Sequence, residues 1–147
     1  MNHELLELTR TVLTRGYLLS LAVVDQQGPW VADVIYIFDD AFNLYWMSTP
    51  DRRHSLVIDD GSHKVAGAIA VTQGARMPDE GLQISGVAMR VEHPSKDLLE
   101  KWMAKKEKAS THDMGTVLEE HVWYKVVPEK MELIHQEKLE HNRQAVR

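Results

Sequence analysis

The chain has 147 residues, of which 44% are hydrophobic and 27% are charged, and its formal net charge is −5. This size and balance predict one soluble domain over residues 1–147, with no apolar run long enough to cross a bilayer. The acidic charge disfavours general nucleic-acid binding, which needs an excess of Lys and Arg over a broad face. Because the chain has no cysteine, disulfides, thiol nucleophiles and thiolate metal sites are excluded.

The first fifteen residues predict a helix. Leu5, Leu8 and Val12 have helical spacing, and Gly16 is placed to end the helix. Charged residues interrupt the apolar ones, so the stretch lacks the basic head and continuous apolar segment of a secretory signal. We therefore expect an N-terminal helix over residues 1–15 and a cytoplasmic protein.

Three strands are predicted after this helix. They cover Tyr17–Asp25, Trp30–Phe38 and Leu44–Met47, which are rich in branched and aromatic residues and are separated by turn sequences. The connecting loops are too short to hold crossover helices, so the three strands should pair as consecutive antiparallel hairpins.

Hydroxyl and basic side chains follow the third strand, in the order Ser48-Thr49-Pro50-Asp51-Arg52-Arg53-His54-Ser55. Thr49 is suited to cap a short helix over Pro50–Ile58. The free N–H groups of such a helix, together with Arg53 and His54, would suit a phosphate group. The same pattern is also typical of an ordinary surface helix, and both interpretations stay open at this point.

The second half of the chain predicts three more strands. Lys64–Thr72 and Leu82–Val91 are predicted strands. Gly67 in the first indicates a bulge or a barrel bend, or else the close approach of another backbone or a ligand. The five strands up to Val91, with their bends, favour a small barrel in a mainly β (α+β) fold. A last strand starts at Val122 and should be interrupted by Pro128.

One further amphipathic helix is predicted over Lys96–Lys108, and its lysines are best interpreted as a solvated face because acidic residues interrupt them. Residues 109–115 form a polar connection and residues 116–120 favour a short helix. The polar ending, residues 136–147, should fray.

Common chemical motifs are absent from the sequence. Eight histidines occur, but none has the spacing of a zincin or of a structural zinc site, so no metal is predicted. There is no phosphate-binding Gly-Lys-Ser/Thr loop, no Gly-x-Gly-x-x-Gly and no Gly-x-Ser-x-Gly. Nucleotide hydrolysis, Rossmann cofactor binding and hydrolase chemistry therefore lack sequence support.

Five segments, taken in order, resemble the pyridoxamine 5′-phosphate oxidase-like FMN-binding split barrels. They are Trp30–Asp40, Leu44–His54, Lys64–Ile69, Leu82–Glu92 and Trp123–Leu133, so the resemblance spans roughly residues 5 to 135. It implies a six-stranded antiparallel split β-barrel with an N-terminal helix, a short helix after strand 3 and a helix before the last strand. It also implies a homodimer that holds FMN in a groove between its subunits.

The resemblance carries roles to particular residues. Ser48 and Thr49 would donate hydroxyls to the FMN phosphate, and Arg53 and His54 would form a phosphate clamp, with Arg52 in solvent. The isoalloxazine ring would lie against the strand made of Ala32, Asp33, Val34 and Ile35, largely through backbone groups. Gln83 would reach the flavin near the subunit boundary.

The sequence departs from the family's pyridoxamine oxidases where those enzymes bind their substrate. Ala32 and Ile37 stand where those enzymes have Arg and Lys, and their Ser-Arg-Pro segment is absent. We therefore expect an FMN-dependent oxidoreductase of unknown substrate, with no catalytic side chain assigned. The alternative is a non-catalytic binding protein or structural dimer on the same barrel, which has lost FMN or binds haem or a deazaflavin instead.

Overall fold

The computed structural model describes residues 2–60, 64–72, 74–107, 120–140 and 142–147. The predicted connection at 109–115 and all but the last residue of the predicted helix at 116–120 lie outside these ranges. Among the described residues, no helix is long and apolar enough to span a membrane.

The N-terminal helix α1 covers His3–Arg15, as predicted. The Asn2 side chain accepts a hydrogen bond from the backbone N–H of Glu4 and caps the helix. The apolar side of α1, including Val12 and Leu13, is buried against the sheet. Two further helices flank the sheet, α2 at Arg53–Asp59 and α3 at Lys96–Lys105.

The strands form one eight-stranded sheet that curls into a half-barrel, as expected for a split barrel. Their order is β2-β1-β5-β6-β7-β4-β3, and β8 pairs with β7. The strands are β1 Leu18–Asp25, β2 Gly28–Ile35, β3 Ile37–Phe38, β4 Leu44–Ser48, β5 Lys64–Ala70, β6 Glu80–Val91, β7 Val122–His135 and β8 Arg143–Ala145. Their neighbours are antiparallel at every described pairing.

The predicted single strand Trp30–Phe38 is wrong, because the chain divides at Tyr36. The Tyr36 side chain is fully buried and its hydroxyl donates to the Leu13 carbonyl at 2.6 Å. The Tyr36 carbonyl accepts from Lys105 Nζ at 2.5 Å. With Tyr36 turned into the core, β2 pairs with β1 and β3 pairs with β4. The predicted antiparallel hairpin with Leu44–Met47 is therefore present, but it is limited to Ile37 and Phe38.

The predicted break at Pro128 is wrong as well, because β7 runs on to His135. Pro128 lies opposite Gly86, where the register between β6 and β7 shifts. A Cβ at Gly86 would collide with the Val127 carbonyl oxygen, so glycine is needed for this close approach. No register shift occurs at Gly67, where the missing Cβ instead leaves room for the Leu19 side chain.

The described residues of the C-terminal segment lie against the barrel, whereas the sequence predicted that residues 136–147 would fray. A short helix, α4 at Gln136–Leu139, leads to β8, which pairs with β7. Val146 is only 7% exposed and belongs to the main core. These non-local contacts could not be read from a polar local sequence.

Two apolar clusters hold the sheet and helices together. The larger fills the barrel beneath α1 and includes Trp46 and Tyr124, whose rings stack 6.0 Å apart. The smaller lies on the other side of β4 and β7, where Leu98 and Trp102 of α3 pack against Trp123. Because of this second cluster, α3 covers the end of β4, where the hydroxyl and basic residues lie.

Candidate functional site

A pocket of about 330 Å³ opens where β4 ends beneath α3. It is lined by residues from β2, β4, the turn before α2, α2 itself and α3, and by His121 just before β7. These residues are Asp33, Val34, Ile35, Met47, Ser48, Thr49, Arg52, His54, Trp102 and His121. Six of the nine site residues predicted from sequence thus share one cavity.

Ser48 and His54 form a buried pair at the base of this pocket. Ser48 Oγ and His54 Nε2 are 3.0 Å apart, and each residue is 7% exposed. Burial, followed by the nearby positive charge of Arg52, lowers the pKa of His54. The imidazole is therefore neutral at pH 7, and the direction of its hydrogen bond with Ser48 follows from its tautomer.

The predicted helix over Pro50–Ile58 with Thr49 as its cap is wrong at its start. Thr49 to Arg52 form a turn, in which the Arg52 N–H donates to the Thr49 carbonyl at 3.3 Å. Helix α2 begins only at Arg53, and its N-cap residue Arg52 makes no side-chain capping bond. The polar groups that this segment brings to the pocket are therefore side chains, with no helix start at Pro50 to add backbone donors.

The Thr49 hydroxyl is buried without a hydrogen-bond partner among the described residues. It lowers the pKa of the nearby Asp51 carboxyl, yet no hydrogen bond of ordinary geometry joins the two groups. A buried hydroxyl without a partner is destabilising, so such groups are often found where a ligand completes the bonding. Among the described residues that line this pocket, Thr49 shares this property with His121, whose Nδ1 is also buried without a partner.

Arg53 does not join the pocket. Its Nε and Nη2 donate to the two carboxylate oxygens of Asp25 at 2.7 and 2.8 Å, and its guanidinium lies 4.7 Å from the ring centre of Trp30. The Arg53 hydrogen bond lowers the pKa of Asp25. Arg52, which the sequence interpretation left in solvent, lines the pocket instead and forms no ion pair among the described residues.

The remaining predicted residues divide between two places. Val34 and Ile35 line the pocket with Asp33, whereas Ala32 does not. Gln83 lies in the same cross-strand row as Asp33, joined through Ser20 and Ala68. Three strand spacings separate Gln83 from Asp33, roughly 14 Å, so one chain does not bring them together.

Comparison with known proteins identifies the architecture. No family model and no curated protein matches the sequence. Among solved structures, a haem-binding protein from Mycobacterium smegmatis has a TM-score of 0.72 at 14% identity, over 99% of this chain and 59% of that one. An F420 reductase has a TM-score of 0.64 at 20% identity, over 83% and 94% of the two chains. A candidate pyridoxamine 5′-phosphate oxidase from Listeria innocua has a TM-score of 0.62 at 19% identity, over 88% and 97%.

The chain has the pyridoxamine 5′-phosphate oxidase-like split-barrel fold. The resemblance inferred from the sequence is therefore confirmed at the level of the fold. These neighbouring structures do not share one ligand, since one is a haem-binding protein and another is an F420 reductase. The choice of ligand must be argued from the pocket itself.

Two residues of this split barrel's pocket were missed in the sequence. His121 precedes β7 and reaches the pocket because Val122 pairs with Ser48 at the end of β4. Its Nδ1 is buried without a partner among the described residues. Trp102 closes the pocket from α3. Neither residue carries a local sequence signal, because both arrive through pairings distant in the chain.

The donor set of the pocket fits a phosphate group. The residues that line the cavity carry two hydroxyls, an imidazole and a guanidinium without an ion-pair partner among the described residues, and the Thr49 hydroxyl has hydrogen-bonding capacity to spare. Phosphate oxygens accept several such bonds at once. The apolar side chains of Val34, Ile35 and Trp102 would suit a flat ring beside that phosphate.

Proposed function

We propose that this protein is a flavoprotein that binds FMN in the pocket at the end of β4. The observation that carries the proposal is the buried Thr49 hydroxyl, which has no partner in the described part of the chain and lies beside Ser48, His54 and Arg52. The fold neighbours that include an F420 reductase support the same class of ligand. Bound FMN would supply the redox chemistry of an oxidoreductase, and the protein would supply position and electrostatics.

The phosphate contacts follow from the side chains. Ser48 and Thr49 donate hydroxyl hydrogens to phosphate oxygens, and Arg52 supplies the positive charge that the sequence interpretation gave to Arg53. His54 is neutral without the ligand, but a phosphate next to its ring favours the protonated form. Binding therefore raises the pKa of His54, and a proton is taken up with the flavin near neutral pH.

The isoalloxazine ring lies along β2 in this proposal. The backbone of Ala32 to Ile35 offers hydrogen-bonding groups at the edge of the sheet, because β2 pairs only with β1 in the described sheet. Val34 is buried and Ile35 partly so, which gives the ring an apolar floor. The pocket is smaller than the whole cofactor, so a second chain completes it.

A homodimer through the outer face of β1, β2 and β5 provides that second chain. This face carries exposed apolar side chains, with Leu18 41%, Val24 62% and Val31 60% exposed, next to the small residues Ala66 and Ala68. Gln83 lies on the same face, three strands from Asp33. A two-fold axis through this face would carry Gln83 of one subunit towards the flavin of the other.

Titration of the purified protein with FMN tests the proposed cofactor. At a hundredfold excess over Kd, FMN should stabilise the protein by about 2.7 kcal/mol. Riboflavin, which lacks the phosphate, should stabilise it far less. Arg52→Ala should weaken FMN binding, whereas Arg53→Ala should leave it nearly unchanged because Arg53 pairs with Asp25. No change of melting temperature with FMN would reject the proposal.

The mass in solution tests the dimer separately. Val31→Glu places a charge at the centre of the proposed interface and should give monomers with weakened flavin binding. Met77→Glu is the matched control, because Met77 is 42% exposed and lies outside β1, β2 and β5, in the loop before β6. A dimer that survives Val31→Glu would place the interface elsewhere.

Haem is a second candidate ligand, favoured by the His121 imidazole at the pocket. Its buried Nδ1 has no partner among the described residues, and imidazole is a common axial ligand of haem iron. One fold neighbour is a haem-binding protein. If haem is the ligand, added haem should give a bound spectrum that His121→Ala abolishes and Arg52→Ala retains. If FMN is the ligand, Arg52→Ala should weaken its binding more than His121→Ala does.

A further inference from the structure

We infer that the cofactor site continues past the phosphate into a second cavity, which accepts the adenosine diphosphate part of FAD. This inference rests on the proposed flavin site. The second cavity has a volume of about 400 Å³ and lies between the ends of β6 and β7 and the start of α3. Met47 and His121 line both this cavity and the phosphate pocket, so the two cavities lie directly beside each other.

The junction between the two cavities is suited to a diphosphate. His121 lies there with a buried Nδ1 that has no partner among the described residues. Arg90 and Lys96 line the second cavity and form no ion pair in the part of the chain that the structure describes. A phosphate added to the one held by Ser48, Thr49 and Arg52 would thus meet further cationic donors.

The apolar lining of the second cavity is suited to a nucleoside. Val91, Leu99 and Trp123 give it an apolar wall, against which a flat base can pack. Glu92 is the one acidic side chain among the described residues that line this cavity. Its carboxylate is an acceptor for ribose hydroxyls, a role that acidic side chains have in other nucleotide sites. The cavity therefore offers a partner to each part of adenosine diphosphate.

The residues proposed to meet the ring belong to the first cavity alone. Asp33, Val34 and Ile35 of β2 line the phosphate pocket and are not among the residues that line the second cavity. In FAD the isoalloxazine and the adenosine extend from opposite ends of the diphosphate, so they would occupy the two cavities separately.

Titration of the full chain with FMN and with FAD tests the inference. FAD should bind at least about tenfold more tightly than FMN, because it adds charged hydrogen bonds and apolar contact. Arg90→Ala and Lys96→Ala should each remove most of this advantage and leave the affinity for FMN within about twofold. Lys101→Ala is the matched control, since Lys101 lies on the same helix but outside this cavity.

The outcomes separate this inference from the proposed function. If FAD binds no more tightly than FMN, or if Arg90→Ala lowers both affinities equally, the second cavity is not an adenosine diphosphate site and the FMN proposal stands. If neither FMN nor FAD binds, the proposed function fails, and this inference fails with it. Adenosine diphosphate as a competitor should displace FAD from the native protein and should not do so after Lys96→Ala.

Discussion

Replacing Thr49 by Val should strengthen the fold and weaken flavin binding, which is the opposite of what a structural residue shows. Val keeps the branched shape of the side chain and removes only the hydroxyl, which is buried without a partner among the described residues. An unsatisfied buried polar group destabilises a protein by about 1–3 kcal/mol. Without ligand, Thr49→Val should therefore raise the free energy of unfolding by about 1 kcal/mol.

The same change should remove one hydrogen bond to the FMN phosphate. A hydrogen bond to a charged group contributes about 1.5–3 kcal/mol. This corresponds to a Kd that is roughly 10- to 150-fold higher. Flavin fluorescence or calorimetric titration gives the Kd, and urea unfolding without ligand gives the stability.

Thr49→Ser is the control for this prediction, because it keeps the hydroxyl and removes a methyl group. It should retain most of the FMN affinity. The reasoning is refuted if Thr49→Val lowers the stability of the ligand-free protein and leaves the FMN affinity unchanged, since the hydroxyl would then have a partner within the protein itself.

Three further predictions concern the same barrel. Ser48→Ala leaves His54 Nε2 without its partner at 3.0 Å and should lower the free energy of unfolding by about 1–3 kcal/mol in urea titrations. Because the pKa of His54 is lowered in the folded state, the unfolded state binds its proton first as the pH falls. Stability of the ligand-free protein should hold above the unfolded pKa of about 6.5 and decline below it, more steeply than in His54→Gln, as melting temperature against pH would show. Gly86→Ala forces a Cβ against the Val127 carbonyl and should destabilise the protein by about 1–3 kcal/mol in thermal unfolding.

Each of these predictions has an outcome that contradicts it. Equal stability of Ser48→Ala and the native chain would mean that water replaces the lost partner of the imidazole. Parallel pH curves for the native chain and His54→Gln would assign the acid destabilisation to another group. Gly74→Ala is the control for Gly86, because a Cβ at Gly74 meets nothing within 4 Å, and equal effects of the two substitutions would remove the steric argument.

The sheet and the general place of the site could be predicted from the sequence, because both depend on local patterns. Branched and aromatic runs between turn residues locate most strands within a few residues of their observed ends. The segment from Ser48 to His54 concentrates hydroxyl and basic side chains at a strand end, and three of its residues do share the pocket with Arg52. Such signals depend only on near neighbours in the chain.

Features that depend on distant pairing could not be predicted in this way. The division of Trp30–Phe38 into two strands follows from Tyr36, which contacts α1 and α3 at once. The two extra strands are short and are held by their partners rather than by their own composition. The C-terminal segment pairs with β7 through β8, although its polar composition is typical of a free tail.

Local patterns of alternation, turns and residue chemistry determined a small barrel with a hydroxyl-rich and basic stretch after the strand Leu44–Met47, and the family resemblance made it a split barrel. Only the tertiary structure decided which cations lie at the cavity. Adjacent residues at the start of α2 point in different directions, and Asp25, distant in the chain, pairs with Arg53 and leaves Arg52 at the pocket. The pairing of Val122 with Ser48 brings in His121, because strand register places residues that the linear chain keeps far apart.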